Sequence, residues 1–365
     1  MFSEKTKNIA DACRFCWMCR HICPVGLVSG KEGNTPRGRA LLLSLDTRDI
    51  KLTPDAYELM FQCALCNACS NDCATGYDPT VFTREARTEA IVNEQVPGVV
   101  KPVLYRAMAG NITGKAVNVE IAKAARNLDE KSDVLLYLGS SAMREGAESA
   151  LALIRILDKA GVKYTVLDDE PDSGAHLFDL MGHVEEVHNL ARACINRISE
   201  AGAKTIVAID PTYARFFKHQ CGEWDLMGDI KVVTATAFAA DLIAQGRLTV
   251  GKLDVTSATY HDPCRLARDL DETQPARDII AAMGIELKEM FLNRKLTKCC
   301  GGAVLRESYG KLAADMAKAR WAEADSTGAK LMITACPACA ENASAHVPGN
   351  MDTADLFVLL DRACR

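Results

Sequence analysis

The sequence lacks several features that mark whole classes of protein. Its 365 residues contain no uninterrupted apolar run near the roughly 18 residues that a membrane helix requires. The first residues, MFSEKTKNIADAC, show no apolar core of a signal peptide. We therefore expect a protein without a transmembrane segment of its own, which lies in the cytoplasm or peripherally on the inner face of the membrane.

An excess of positive charge is also missing. The chain has 43 Lys and Arg residues against 48 Asp and Glu residues, which gives a formal net charge of −5. Because nucleic-acid-binding domains are typically basic, this balance argues against a nucleic-acid partner. The sequence has no Walker A motif and no G-x-G-x-x-G that opens a helix after a strand, so we expect neither a nucleotide nor a flavin in this chain.

Cysteine is the residue that is present in excess. The chain has 16 cysteines, a very high number for a cytoplasmic protein, in which disulfides are disfavoured. Clustered cysteines in such a compartment indicate metal binding or redox chemistry. Cys194, Cys221 and Cys364 stand outside the clusters, and we interpret them as small buried apolar side chains. The others fall in tight motifs.

Two matched cysteine runs lie near the amino terminus. Residues 13–24 read CRFCWMCRHICP and residues 63–73 read CALCNACSNDC, and both have the spacing C-x2-C-x2-C-x3-C. Three cysteines at this spacing bind three corners of a four-iron cube, and the fourth thiolate typically comes from the other run. The spacing therefore predicts two [4Fe–4S] clusters. The predicted ligands are Cys13, Cys16, Cys19 and Cys73 for cluster one, and Cys63, Cys66, Cys69 and Cys23 for cluster two.

Structural zinc is the alternative for these runs. Zinc sites typically take four ligands as two separated pairs, which fits the triplet spacing badly. Pro24 follows the first run as it does in bacterial ferredoxins, whereas Ala74 stands at the corresponding place after the second run. We favour iron–sulfur clusters over zinc.

The pattern along the chain predicts an α+β multidomain protein. Residues 1–95 carry both cysteine runs between segments of helical pattern and predict an all-α two-cluster ferredoxin domain, in which Thr53 and Pro54 fit the start of a helix. Residues 96–131 predict a connector with short helices. From residue 132 onward, strand-like apolar runs alternate with amphipathic helices, which is typical of an α/β fold with parallel sheets. The predicted strands begin with 134–138, 163–167, 204–209 and 231–235, and continue with the runs that enter cysteines at 257–264 and 330–339.

The α/β region also shows an internal repeat. Residues 201–218 align with residues 327–344 without a gap. We therefore predict a pseudo-duplication into two similar lobes, residues 132–228 without cysteine ligands and residues 229–365 with them. In this alignment Asp210 and Tyr213 occupy the places of Cys336 and Cys339, Asp172-Ser173-Gly174 falls on Cys299-Cys300-Gly301 with a one-residue adjustment, and Ser140 or Ser141 falls on Cys264.

Five cysteines of the second lobe stand where apolar runs end. They are Cys264, Cys299, Cys300, Cys336 and Cys339. Because the carboxyl ends of parallel strands form the ligand-binding edge of a sheet, we expect these thiolates to converge on one site. Gly301 and Gly302 would allow a close backbone approach or a positive φ. One zinc ion needs only four thiolates, so five favour a larger inorganic unit.

His261 lies three residues before Cys264. An imidazole titrates near neutral pH, so it could protonate a substrate or hydrogen-bond to a metal cluster. We favour the second role, in which His261 supports the cluster without binding it.

The motifs resemble those of a known family. The amino-terminal part, with NTPRGRALLL at 34–43, resembles the two-cluster helical ferredoxin domain of succinate dehydrogenase and glycolate oxidase iron–sulfur subunits. Arg37 and Arg39 in this segment either offset the charge of reduced clusters or are solvated. The pattern C…CCG…CxxC, with YHDPCRLAR and TKCCGGA, resembles the cysteine-rich CCG domain. That domain occurs in heterodisulfide reductase catalytic subunits and in the iron–sulfur subunits of glycolate oxidase and anaerobic glycerol-3-phosphate dehydrogenase.

The resemblance implies a third cluster. In heterodisulfide reductase the CCG motifs hold non-cubane [4Fe–4S] clusters that cleave a disulfide, and by position Cys264, Cys299, Cys300, Cys336 and Cys339 would bind one such cluster here. The first lobe has Asp172-Ser173, Asp210 and Tyr213 where the family has cysteines. One of the two clusters of that enzyme is therefore expected to be missing, which weakens the interpretation as a heterodisulfide reductase.

We expect an iron–sulfur electron-transfer subunit of an oxidoreductase complex. A partner flavoprotein dehydrogenase would oxidise a 2-hydroxy acid or a similar compound, and a membrane cytochrome, a quinone-reactive subunit or another carrier would accept the electrons. The alternatives are a heterodisulfide-reductase-like enzyme that cleaves a disulfide at the C-terminal cluster, and a structural role in which the second lobe holds zinc.

Overall fold

A computed structural model describes residues 2–14, 16–46, 48, 50–124 and 132–365 of the chain. Residues 125–131, at the end of the expected connector, lie outside the described part. Among the described residues, no helix combines the length and the apolarity needed to cross a bilayer.

Residues 2–124, where described, form helices and loops without a strand, as the sequence predicted for the first domain and connector. Helices in this part frequently begin with a side-chain cap and a proline. The Thr53 hydroxyl accepts a hydrogen bond from the Ala56 N–H, and Pro54 occupies the first helical turn. The helices are α1 (Glu4–Asp11), α2 (Met18–Ile22), α3 (Pro24–Ser29), α4 (Pro36–Asp46), α5 (Pro54–Phe61), α6 (Ala68–Asp72), α7 (Pro79–Val92), α8 (Lys101–Met108) and α9 (Val119–Ala124).

The rest of the chain alternates strands and helices. The strands are β1 (Val134–Tyr137), β2 (Thr205–Ala208), β3 (Lys231–Thr234), β4 (Ser257–His261), β5 (Glu286–Leu287), β6 (Leu331–Thr334) and β7 (Asp352–Asp355). The α-helices are α10 (Gly139–Arg144), α11 (Ala147–Lys159), α12 (Ala175–Met181), α13 (Glu185–Glu200), α14 (Pro211–Arg215), α15 (Ala235–Ala244), α16 (Pro275–Ala282), α17 (Val304–Ser308), α18 (Gly310–Asp325), α19 (Pro337–Ser344) and α20 (Leu356–Ala363). Two π-helical segments, Phe216–Cys221 and Arg265–Asp269, follow α14 and β4.

The strands form two parallel sheets, which confirms the predicted sheet type. The first sheet has the order β1-β2-β3, and the second has the order β5-β4-β6-β7. Parallel strands need crossover connections, and helices between successive strands supply them.

Two details of the sequence prediction are wrong. The run 163–167 was expected to be a full strand, but it meets β1 only through the bridge between Leu135 and Thr165. The lobe boundary at 228/229 is also displaced, because β3 hydrogen-bonds to β2 and so extends the first sheet to Thr234.

One hydrophobic core joins the two sheets. It contains side chains from both, such as Leu136 and Val207 from the first sheet and Tyr260 and Ile333 from the second. Helix α11 of the first part packs against the carboxyl-terminal helix α20. Arg155 Nε lies 2.6 Å from Asp361 Oδ2 across this contact. The two lobes therefore form one packed unit.

The three isolated cysteines are buried, as predicted. Cys194 and Cys221 are fully inaccessible in the core that also contains Phe217, and Cys364 packs in the core between the sheets. Burial raises the pKa of Cys221 to about 12, which keeps this thiol protonated.

Arg87 connects the helical domain to the first lobe. It is 1% exposed, and its guanidinium donates to the carbonyl oxygens of Met60, Phe61 and Cys63 at the end of α5 and to that of Asp179 in α12. These carbonyls lie near the open end of a helix, where intrahelical partners are lacking. Arg87 thus sets the position of Cys63 relative to the lobe.

We expect an Arg87→Met substitution to lower the free energy of unfolding by about 3 kcal/mol, because it leaves buried carbonyl groups without donors. Urea unfolding followed by circular dichroism measures this change. The exposed Arg192, which bonds only to His188 among the described contacts, supplies the control Arg192→Met, for which a change within about 0.5 kcal/mol is expected. Equal effects of the two substitutions would contradict the role of Arg87.

Candidate metal centres

The two amino-terminal cysteine runs have the same local fold. In each run the residue after the second cysteine has a left-handed backbone, Trp17 with φ 72° and Asn67 with φ 61°. A five-residue helix follows, α2 or α6, with the third cysteine in it, and the fourth cysteine ends it in an extended conformation. A left-handed backbone is unfavourable for a bulky residue such as Trp17, and it persists only where the surrounding side chains hold it. The arginines Arg20 and Arg37 stack on the Trp17 ring at 5.0 and 4.1 Å.

The fourth cysteine of each run lies with the first residues of the other run. Cys73 and Cys13 pack against the same apolar cluster, which contains Phe2, Met60 and Phe82. Cys23 packs in a different cluster with Cys66. The two runs therefore lie close together, and each apolar cluster contains cysteines from both runs.

A small buried cavity lies at the second of these groups. Four cysteine side chains line it together with Pro24, Ala64 and Arg39. They are Cys23, Cys63, Cys66 and Cys69. Burial raises the pKa of Cys23 to about 12, and a Gly26 N–H donates to its sulfur at 3.4 Å. The cavity collects the complete set predicted for cluster two.

The other predicted set lies closer to the surface. Cys16 is exposed, whereas Cys13, Cys19 and Cys73 are half-buried. Burial, and the neighbouring Cys13 and Cys16, raise the pKa of Cys19 to about 11. Trp17 beside Cys16 is 48% exposed.

Arg39 is buried, which excludes the solvated alternative for this residue. It is 1% exposed, donates from Nε to the Leu59 carbonyl at 2.9 Å, and lowers the pKa of Cys23 against the effect of burial. Arg37 instead pairs with Glu32 at 3.0 Å and stacks on Trp17.

The five cysteines of the second sheet line a single cleft. Cys264 follows β4, and Cys336 follows β6 directly at the start of α19, so both stand at the carboxyl edge of the sheet. Cys299 and Cys300 arrive on the loop before α17. The sulfur atoms of Cys264 and Cys299 are 3.8 Å apart, and those of Cys300 and Cys339 are 3.1 Å apart. All five line the cleft, and Cys63 of the helical domain lines it as well.

Two glycines permit this close approach, as the sequence suggested. Gly301 has φ +82°, a conformation that other residues rarely adopt. A Cβ atom on Gly302 would lie 2.7 Å from the Ala338 carbonyl oxygen and 3.4 Å from the Cys300 sulfur. The buried Asn342 donates to the carbonyl oxygens of Cys300 and Ala313 at 2.7 and 3.2 Å. The CCG loop is therefore held tightly against α18 and α19.

The thiols in the cleft interact strongly. Hydrogen bonds from Cys299 and Cys339 hold the pKa of Cys300 well below its usual value, with a smaller effect of His261. Hydrogen bonding to Cys300 and Cys336, together with burial, holds the pKa of Cys339 well above the usual value of a thiol. Buried thiolates at this density need cationic partners, because an unpaired buried charge is very unfavourable.

His261 faces the same sulfurs. It is 1% exposed, and its ligand nitrogen lies within 4.8 Å of the sulfurs of Cys300 and Cys339. Arg320 Nε donates to His261 Nδ1 at 3.0 Å, so the imidazole proton belongs on Nε2. Nε2 has no hydrogen-bond partner among the described residues. The tautomer therefore presents an N–H donor in the region of the cysteine sulfurs.

The cleft and the cavity of the helical domain adjoin each other. Cys66 and Cys299 pack in the same cluster, and the neighbouring Cys299 thiol lowers the pKa of Cys66 to about 6, with a further contribution from Arg268. Arg268 also donates from Nε to the Cys66 carbonyl oxygen at 2.6 Å. Cys63 lines both spaces. The two groups of sulfur ligands are therefore neighbours.

In the first sheet, side chains fill the corresponding edge. Gly174 has φ +84°, close to Gly301, and Asp210 and Cys336 each precede a helix that starts with proline. Tyr213 is fully buried, lies against Gly139, and its hydroxyl accepts from the Ser140 N–H at 3.0 Å. Among the described residues, the positions aligned with the cysteines of the second lobe hold no cysteine, and the nearby Cys194 Sγ lies 3.6 Å from the Pro171 carbonyl oxygen.

Sequence reasoning missed Arg265, Arg268 and Asn342. The arginines follow Cys264 in RLAR at a helical spacing, which is a usable signal for side chains on one face. Their partners, such as Asp179 and the Cys66 carbonyl, are distant in sequence. Local patterns could therefore suggest the pair of Arg265 with Asp269 four residues later, but not these distant partners.

The donor set fits iron–sulfur clusters. The donors that line the cavity and the cleft are mostly cysteine sulfurs, the ligands that such clusters take. The unpartnered Nε2–H of His261 matches the hydrogen bonds that commonly surround cluster sulfurs. His261, Cys300 and Cys339 also form a three-ligand set of a size that one metal ion accepts, so zinc stays an alternative at this edge.

We expect a Gly302→Ala substitution to lower the free energy of unfolding by about 1–3 kcal/mol, because the added methyl group overpacks the contact with Ala338. Chemical unfolding of the anaerobically purified protein measures it. Gly310 starts α18 with open space around its Cα, so Gly310→Ala is the matched control and should leave stability unchanged or slightly increased. A neutral Gly302→Ala variant would show that the loop is not tightly packed.

Two parts of the chain match known protein families. Residues 9–77 match the family described as 4Fe-4S dicluster domain, and residues 258–342 match the cysteine-rich domain. A subunit of the dihydromethanophenazine:CoB–CoM heterodisulfide reductase from Methanosarcina barkeri is 26% identical over 94% of this chain and 92% of its own length. The glycolate oxidase iron–sulfur subunit of Escherichia coli is 23% identical over 81% of this chain and 80% of its own length.

A solved structure shares the fold. The crystal structure of a hypothetical protein from Helicobacter pylori matches 99% of this chain and 73% of its own chain with a TM-score of 0.62 at 10% identity. The chain thus matches a 4Fe-4S dicluster domain in its amino-terminal part and a cysteine-rich domain in its carboxyl-terminal part, and its expected resemblance to the iron–sulfur subunits of heterodisulfide reductase and glycolate oxidase is confirmed.

Proposed function

We propose that this chain is the iron–sulfur electron-transfer subunit of an oxidoreductase complex. The observation that carries the proposal is that Cys63 lines both the cavity of the helical domain and the cleft of the second sheet. Two groups of buried sulfur ligands thereby adjoin each other, and a third group reaches the surface at Cys16. Sulfur sites that adjoin each other, together with one that reaches the protein surface, suit the passage of electrons between the surface and the buried cleft.

Three clusters are assigned in this proposal. [4Fe–4S] clusters supply reversible transfer of single electrons. The ligands are Cys13, Cys16, Cys19 and Cys73 for cluster one, Cys63, Cys66, Cys69 and Cys23 for cluster two, and Cys264, Cys299, Cys300, Cys336 and Cys339 for a C-terminal cluster of the non-cubane kind.

The surrounding side chains orient these ligands. Arg87 and Arg268 fix the carbonyls of Cys63 and Cys66, respectively. Asn342 fixes the carbonyl of Cys300. His261 offers its Nε2–H to the sulfurs of the C-terminal site, and Arg320 sets the tautomer. All these groups hold or hydrogen-bond ligands, and none of them needs to act as an acid or a base.

The α/β region is assigned as a pseudo-duplication in which the first lobe has lost its cluster. The order β5-β4-β6-β7 of the second sheet is matched in the first by the Thr165 bridge, β1, β2 and β3. Tyr213 occupies the edge where the second lobe has Cys339. The domains of this assignment are residues 1–95, a connector to 131, a first lobe that now ends after β3, and a second lobe to residue 365.

The proposed partners follow from the absence of a nucleotide or flavin motif in this sequence. A two-electron oxidation requires a hydride acceptor, and the sequence has no nucleotide or flavin motif. A flavoprotein dehydrogenase for a 2-hydroxy acid or a similar compound would therefore supply the electrons. A quinone, a membrane cytochrome or another carrier would accept them, with the subunit in the cytoplasm or on the inner face of the membrane.

The chain purified alone under anaerobic conditions, reduced with dithionite and then freed of excess dithionite, should pass its electrons to an artificial acceptor such as ferricyanide. It should show no acceptor reduction with glycolate or lactate as the electron source. Absorbance of the acceptor follows both reactions. Sustained oxidation of a 2-hydroxy acid by the isolated chain would contradict the proposal.

His261 provides a test of the C-terminal site. A His261→Leu substitution removes a hydrogen-bond donor to sulfur, which should lower the reduction potential of that centre by about 20–60 mV, the equivalent of about 0.5–1.5 kcal/mol for one electron. A redox titration followed by EPR measures it. His188, which lies on α13 beside Trp224, supplies the control His188→Leu, and an unchanged potential in both variants would exclude a hydrogen bond from His261.

A second candidate function is cleavage of a disulfide at the C-terminal site. It is favoured by the cleft itself, because Cys264 in its wall is only half-buried and a substrate sulfur could reach it. A mixed disulfide would then reoxidise the dithionite-reduced protein, and a Cys300→Ser variant would lose this reaction while keeping the EPR signals of the amino-terminal clusters. The electron-transfer proposal predicts that no such Cys300-dependent reoxidation occurs.

A further inference from the structure

A second, larger cleft lies between the helical domain and the two lobes. Its volume is about 650 Å³, within the range of small-molecule sites. We call it the arginine cleft, after the four guanidinium groups in its wall. They are Arg84 from α7, Arg215 from α14, and Arg265 and Arg268 from the π-helical segment after Cys264.

The four arginines exceed the buried carboxylates among them. Arg84 and Arg265 lie 3.1 and 2.6 Å from the two carboxylate oxygens of Asp179, and Arg265 also binds Asp269 at 2.9 Å. Although burial acts to raise it, the pKa of Asp179 is held well below its usual value by Arg265, Arg84 and Arg215. Asp179 and Asp269 are therefore the carboxylates that ion-pair with these guanidinium groups among the described residues, while Asp78, Glu85 and Glu223 carry further negative charge at the rim.

The acidic groups at the rim of the cleft already have their own partners. Glu85 accepts from the hydroxyls of Ser3 and Thr6. Asp78 accepts from the hydroxyl of Ser70 at 2.8 Å. Glu223 accepts from the Gln220 amide at 3.0 Å. They are thus engaged locally and do not contact the arginine side chains in any described hydrogen bond.

Donors on these arginines are left without acceptors. Arg84 is 95% buried, and its Nε has no hydrogen-bond partner among the described residues. The same holds for Nη2 of Arg268. Arg215 has one ion pair among the described residues, a long contact of 3.6 Å between its Nε and Asp269 Oδ2. Burial and the neighbouring Arg84 and Arg265 lower the pKa of Arg215 to about 9, as expected where positive charges crowd.

The geometry brings two of these groups together on one aromatic ring. The guanidinium carbons of Arg84 and Arg215 lie 4.8 and 5.4 Å from the centroid of the Phe178 ring. Phe178 lines the cleft beside them. Guanidinium groups that pack on an aromatic ring are suited to bind carboxylate or phosphate groups, because these anions accept paired hydrogen bonds from the guanidinium N–H groups.

We propose that the arginine cleft is a binding site for a small oxyanion-bearing molecule, a carboxylate or a phosphate. The site is built from arginines and Phe178, and it does not rest on the electron-transfer function. Arg265 lines both this cleft and the cysteine cleft, and Arg268 holds the Cys66 carbonyl. A bound anion would therefore contact the same arginines that lie beside the predicted clusters.

Isothermal titration of the intact, anaerobically purified protein tests this site. Succinate is the carboxylate probe, inorganic phosphate is the phosphate probe, and sodium chloride holds the ionic strength constant. We expect saturable binding of at least one probe, and the probe that saturates at the lower concentration identifies the chemistry of the ligand. An absence of saturable binding by both would overturn the proposal.

Variants separate the site from general charge effects. Arg215→Gln should weaken the binding by about 10- to 100-fold, because charge-assisted hydrogen bonds to an anion are lost. Arg192→Gln, on the exposed face of α13, should leave it unchanged. If Arg215→Gln proves misfolded by circular dichroism, Arg215→Lys, which keeps the charge, replaces it and should weaken the binding by less. Equal affinities of the wild type and the Arg215 variant would overturn the proposal, whatever the outcome for the clusters.

Discussion

The close packing of cysteine sulfurs in buried space is the constraint on which the rest of the structure depends. Sulfurs 3.1 and 3.8 Å apart would repel one another as thiolates, and burial makes that repulsion stronger. The surrounding backbone must therefore be stiff enough to keep them together. Gly301, Gly302 and Asn342 do this at the CCG loop, and Arg87 and Arg268 do it at the second amino-terminal run. Metal clusters of positive charge then stabilise what the backbone has assembled.

The same constraint bears on the position of the cysteines within the α/β region. A parallel sheet places the ends of its strands at one edge, so that Cys264 after β4 and Cys336 after β6 meet without special loops. The first sheet has the same kind of edge, but Tyr213 and Asp210 occupy it. The core that the two sheets share, with helix α11 packed against α20, stabilises both lobes, whereas the described cysteines that line the cleft with Cys264 lie at the edge of the second sheet. The first lobe also supplies Asp179 and Arg215 to the arginine cleft.

Much of this arrangement could be predicted from local sequence. The capped helix at Thr53 and the alternation of strands and helices are short-range patterns, and the structure bears out the helices and parallel sheets that they predict. The cysteine spacing is also a short-range pattern, and its cluster assignment stays a prediction. Longer-range contacts were not accessible. The approach of Cys66 to Cys299, and the hydrogen bond from Arg268 to the Cys66 carbonyl, join residues more than 200 positions apart. The run 163–167 is not a full strand, because its apolar, β-branched composition does not show how many of its residues pair with a neighbouring strand. Strand β3 lies outside the expected first lobe, because the pairing of strands is set by tertiary contacts.

The metal content of the freshly isolated protein tests the central claim most directly. Iron, zinc and acid-labile sulfide are determined on anaerobically purified protein, together with low-temperature EPR of the dithionite-reduced sample. Three [4Fe–4S] clusters predict about twelve iron atoms and about twelve sulfides per chain, with negligible zinc. About eight iron atoms with one zinc would contradict the assignment of the C-terminal site. A colourless protein without iron would contradict the account as a whole.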